Sequence, residues 1–122
     1  MPITLNPVAA DLFDKTAKAQ AKAVADDKRV NKPSQLRKFY DEIVMWEQKA
    51  SLHPDKFQEY LPFIRMLNAK VAYAKGRNLV DDKFVNLMSE GLRQVDSAES
   101  LRTFKLFMEA FMGFYKQERP KD

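Results

Sequence analysis

A chain of 122 residues, 45% of them hydrophobic, has the size of one domain and can bury roughly two-thirds of its unfolded surface in a single core. The cysteine count of 0 excludes a disulfide framework and thiolate chemistry, a usage that fits the reducing cytoplasm. The net charge of +4 is uneven: residues 31–77 carry nine basic and five acidic side chains, 1–30 five and four, and 78–122 seven and eight, so the excess cation sits in the middle third.

With only 3 Gly, few β-branched residues and no alternating apolar runs, the chain reads as all-α, a compact bundle of about five to six helices in a single domain. Asn6 is placed to cap a first helix with Pro7 at its first position, running through an Ala-rich stretch to about Val24. Asp26-Asp27-Lys28-Arg29 makes a polar connection, and Pro33 opens a second helix to about Ala50. Its apolar stripe is Leu36, Phe39, Tyr40, Ile43, Trp46 and Ala50, which leaves Arg37, Lys38, Asp41 and Glu42 on the flank.

Leu52-His53-Pro54 begins a third helix. Pro62 lacks an N–H to give, so the break is expected at Tyr60-Leu61, between a short helix (55–60) and a longer one (62–75) that points Phe63, Ile64, Leu67, Val71 and Ala74 at the core. Gly76 is placed to end the longer helix in a left-handed conformation. Asp81 and Asp82 open a helix to about Gln94, and Asp96 with Glu99 has capping-box spacing for a last helix over 98–117. In that helix Lys105, Glu109 and Lys116 form the polar stripe, while Phe104, Leu106, Phe107, Met108, Phe111, Met112, Phe114 and Tyr115 cover the rest. So apolar a helix is central to the bundle or meets a partner, and Phe107, Phe111 and Phe114 are the candidates for such a contact. Methionines 45, 66, 88, 108 and 112 are expected to fill core gaps.

Site chemistry is sparse. His53, the single histidine, precedes Pro54 at a helix start and suits a surface or capping role; a nuclease of the Arg-x4-6-His kind would need Arg where Trp46, Glu47 and Gln48 stand. Asp81-Asp82 is explained by the helix dipole, and the glycines are too far apart for a phosphate loop. No catalytic residue, metal site or cofactor is expected, and no stretch approaches the ~18 apolar residues of a membrane span. What survives is a basic surface: Arg37 and Lys38 on one helix, Lys70, Lys75 and Arg77 on another, with Lys32 just before Pro33, either a strip for nucleic-acid phosphates or a solvated face.

Three blocks, Ser34-Gln-Leu-Arg-Lys-Phe-Tyr40, Met66-Leu-Asn-Ala-Lys-Val-Ala-Tyr-Ala-Lys-Gly-Arg77 and Phe107-Met-Glu-Ala-Phe-Met-Gly-Phe-Tyr-Lys116, together resemble the small subunit of the type III-A CRISPR (Csm) effector, Csm subunit two. The resemblance covers about residues 31–117. It sets residues 1–30 apart as an Ala-rich helical extension of a 31–122 bundle core. It implies a non-enzymatic cytoplasmic subunit of an antiviral defence complex. Several copies would stack as a filament on guide RNA and target RNA, beside the backbone subunits and the large polymerase-like subunit. Carried over by position, it makes Arg37, Lys38, Lys70, Lys75 and Arg77 phosphate contacts, whereas Lys32 rests on charge alone. The alternative is a helical protein–protein adaptor that does not bind RNA.

Overall fold

The computed structural model describes residues 2–122, and among them there is no strand. The helices are α1 (Ala17–Val24), α2 (Pro33–Leu52), α3 (Phe57–Arg65), α4 (Leu67–Gly76), α5 (Asp82–Arg93) and α6 (Ala98–Glu118). A π-helical stretch, Leu12–Thr16, leads into α1, and a short 3-10 turn, Pro54–Lys56, leads into α3.

The long α6 is the centre, packed between α1 and α2. Its Leu101, Phe104, Phe107, Met108, Phe111 and Tyr115 are all fully buried. Two of the three aromatics considered for a partner contact, Phe107 and Phe111, are therefore spent inside the chain's own core and present no surface; Phe114 is half-buried. The apolar circumference of α6 reflects a helix flanked on two sides. α1 can lie against it because Ala17 and Ala21 are fully buried and small enough to let the backbones approach. On α5, Gly91 makes room for α6 in another way, with the Phe104 ring lying where a side chain would begin.

Residues 2–30 share one core with the rest: Ile3, Leu5, Leu12, Ala17, Ala21 and Val24 all join the main buried cluster. The helix does not start at Asn6-Pro7. Ile3 and Leu5 are buried from an extended segment, which Gln94 holds by donating to the Ile3 carbonyl (2.8 Å) and accepting from the Leu5 amide (2.8 Å). Two buried apolar side chains two residues apart need extended backbone, so helix formation waits until Leu12.

The remaining boundaries follow local chemistry. Pro62 lies inside α3, and the chain bends instead at Met66; both Pro62 and Gln58, whose carbonyl loses its helical donor, are exposed, so water can serve that carbonyl. Phe63 is 53% exposed rather than in the core, where Ile64 sits, and stacks on Trp46 with ring centroids 5.9 Å apart. Met45 and Met66 are likewise exposed, while Met88 and Met108 are fully buried. Gly76 remains helical, and the left-handed residue after α4 is Asn78 (φ 61°). The cap of α6 is one residue later than its carboxylates suggest: Ser97 accepts from the Ser100 amide (3.1 Å), and the Ser100 hydroxyl accepts from the Ser97 amide (3.0 Å). For α5 the expected cap forms, with Asp81 accepting from the Phe84 amide at 3.2 Å.

Candidate nucleic-acid interface

The first determinant of the basic surface is the buried Asn31, held at φ 57° between α1 and α2. Its amide nitrogen donates to the Val24 carbonyl (3.1 Å) and to Asp81 (2.8 Å), and its side-chain oxygen accepts from the Asp81 amide (3.0 Å). Its backbone N–H donates to Leu79 (2.9 Å), and its carbonyl accepts from the Tyr115 hydroxyl (2.6 Å) and Arg119 (3.0 Å). One residue thus ties the start of α2 to the loop after α4 and to the end of α6. Asparagine suits the position because it tolerates left-handed backbone and offers both a donor and an acceptor.

That tie brings the first half of α2 alongside the last half of α4. Between them lies a groove of ≈ 260 Å³ lined by Gln35, Lys38, Glu42, Lys70, Tyr73 and Arg77, among others. Lys38 has no ion pair among the described residues. Lys70 donates to both oxygens of Glu42 (3.0 and 2.9 Å), and the Arg77 guanidinium lies over the Tyr73 ring, 5.9 Å from its centroid. The Lys70–Glu42 pair is partly exposed, so it is worth only ~0.2–1 kcal/mol.

The other three cations of the sequence reading lie elsewhere. Arg37 turns away from the groove: it pairs with Asp41 (3.2 Å), lies over Tyr40 and lines a cleft with Glu109 and Lys116 of α6. Burial in that cleft pushes the Tyr40 hydroxyl above its ordinary pKa. Lys75 pairs with Asp82 of α5 at 3.3 Å. Lys32 stands by the C-terminal Asp122, whose carboxylate caps α2 through the Ser34 amide (2.9 Å) and hydroxyl; the Ser34 bonds hold that carboxyl below its ordinary range. Lys38, Lys70 and Arg77 thus share one groove, and the strip read from sequence divides among four places.

Sequence reasoning passed over Tyr73 and Asn31. Tyr73 could have been found: it falls three residues after Lys70 and four before Arg77, on the same helical face. Asn31 carries no periodic signal.

Among the described residues no group of histidine, cysteine or carboxylate side chains is arranged to hold a metal, and no helix is long and apolar enough to cross a membrane. Fold and surface together define a small all-α protein with a basic groove between two of its helices. The family model described as Csm2 Type III-A matches residues 8–121, and the chain belongs to that family, the small subunit of the type III-A CRISPR complex. The match takes in α1 as well as the three blocks that carried the resemblance. No curated protein and no solved structure matches the chain.

Proposed function

We propose that this chain is a non-catalytic subunit that grips the sugar–phosphate backbone of guide and target RNA through the α2–α4 groove, several copies stacking along one RNA within the cytoplasmic type III-A effector. The observation that carries this reading is the convergence of Lys38, Lys70 and Arg77 from two helices on one groove, opposed there by Glu42.

The physical logic is electrostatic. A guide–target duplex changes sequence with each guide, so a subunit that serves all of them contacts phosphate and ribose and leaves base edges alone. Three cations per copy give weak binding, which stacked copies multiply through effective concentration. Exposed Leu52, Phe63 and Met66 offer surface for contacts with neighbouring subunits, a part that the buried Phe107 and Phe111 do not play. Arg37, Lys75 and Lys32 lie outside the groove and contribute less to this contact than the three cations that line it.

The experiment is RNA retention by the Lys38→Ala/Arg77→Ala double variant with several unrelated RNA sequences. An equal loss for all of them is expected. A loss confined to one sequence would mean base readout, and unchanged binding would favour an adaptor that binds protein alone.

A further inference from the structure

Tyr73 is 69% exposed, so its ring is accessible to a ligand. It lies inside the same groove as Lys38, Lys70 and Arg77, and the Arg77 guanidinium sits over its ring at 5.9 Å. A ring backed by a cation and bordered by phosphate-binding side chains is the arrangement that holds an unstacked nucleotide: base on the aromatic face, phosphate on the lysines.

We propose that Tyr73 is a stacking platform for one unpaired base of the RNA, so that each copy of this chain holds an unpaired nucleotide as well as paired backbone. The inference rests on the RNA-binding reading above and adds a ligand class to it. The occupant is an RNA base and not an apolar protein segment, because the cations outnumber the one carboxylate, Glu42, around the ring. Stacking is indifferent to base identity, as every base has a π-face, so the platform is compatible with sequence-independent binding. A base already out of the duplex is selected because no pairing has to be broken to bind it.

The test compares Tyr73→Leu, Tyr73→Phe and Lys38→Ala/Arg77→Ala with the wild-type chain at low salt. The probes are an unstructured single-stranded RNA carrying one 2-aminopurine and a fully paired RNA duplex. Tyr73 is exposed, so both substitutions leave the core untouched, which circular dichroism verifies. The expected result is that Tyr73→Leu weakens single-strand binding about 5- to 150-fold, the range that base–aromatic stacking supplies. It also abolishes the quenching of 2-aminopurine and leaves both the salt dependence and duplex binding unchanged. Tyr73→Phe retains wild-type affinity. If Tyr73→Leu changes neither probe, or both equally, while Lys38→Ala/Arg77→Ala still weakens binding, the stacking proposal is wrong and the backbone reading stands. If the wild-type chain retains neither RNA, or the charge variant binds as well as wild type, both readings fall.

Discussion

Gly91→Ala and Gly113→Ala are the same substitution in two helices, and the structure predicts opposite signs. In an exposed helix interior, alanine is more favourable than glycine by ~1 kcal/mol. At Gly113 of α6 nothing lies within 4 Å of the place a methyl group would take, so Gly113→Ala should stabilise by about 0.5–1 kcal/mol. At Gly91 the added carbon would lie 2.1 Å from Cε1 and 2.7 Å from Cδ1 and Cζ of Phe104. Carbon atoms pack at ~3.5–4.0 Å, so the ring or one of the two helices must yield by more than ~1 Å. Phe104 is 0% exposed, so the ring cannot swing out to solvent without leaving the core. Overpacking of this kind costs ~1–3 kcal/mol and sometimes more, and the severity of the overlap places it at the upper end. After the helix-propensity gain, a net loss of about 1–3 kcal/mol remains, which with a urea m-value of ~1–3 kcal/mol/M moves the midpoint down by roughly 1 M. Adding Phe104→Leu to Gly91→Ala should cost less than the two changes summed, because the smaller side chain removes the overlap. A Gly91→Ala variant as stable as wild type would refute the contact between Gly91 and the Phe104 ring.

Other consequences are equally direct. Asn31→Ala removes three side-chain hydrogen bonds at a left-handed position and should destabilise by about 2–4 kcal/mol in denaturant titration. Arg119→Met breaks the donation to the Val30, Asn31 and Lys28 carbonyls and should lower stability by about 1.5–3 kcal/mol, read as a fall in Tm. Phe111→Ala should cost about 3–5 kcal/mol with no change in sedimentation behaviour; altered self-association at constant stability would return that ring to a subunit contact. The Asp122 pKa is depressed in the folded state, so its contribution is complete above the unfolded value of 3.8 and is lost as pH falls through the lower folded value. A nuclear magnetic resonance titration of the Asp122 carboxyl should therefore have its midpoint below 3.8; a midpoint above it would mean that the tail does not cap α2.

The apolar periodicity of Leu36, Phe39 and Ile43, and of Leu101, Phe104, Met108 and Phe111, made the long helices and the all-α class legible, because burying one face is a property of the local sequence. The errors share a cause: they depend on partners distant in the chain. Ile3 and Leu5 are extended because Gln94 holds them, and Phe63, at the edge of the face that buries Ile64, lies against Trp46 and stays exposed. Phe107 and Phe111 look like an interface until α1 and α2 are seen on either side of α6. The cations were identifiable as residue types but not as a site, since Arg37 and Lys38 are adjacent in sequence and face different grooves. Their grouping is decided by Asn31, which no helical pattern marks.

The most direct test of the central claim is the salt dependence of RNA affinity for wild type and Lys38→Ala/Arg77→Ala, measured on single-stranded and paired RNA of unrelated sequence. Each phosphate contact contributes ~0.7–0.9 to the log–log slope, so losing two should flatten it by about 1.4–1.8 while affinity falls equally for every sequence. An unchanged slope would contradict the account, showing the α2–α4 groove to be a solvated face that no phosphate occupies.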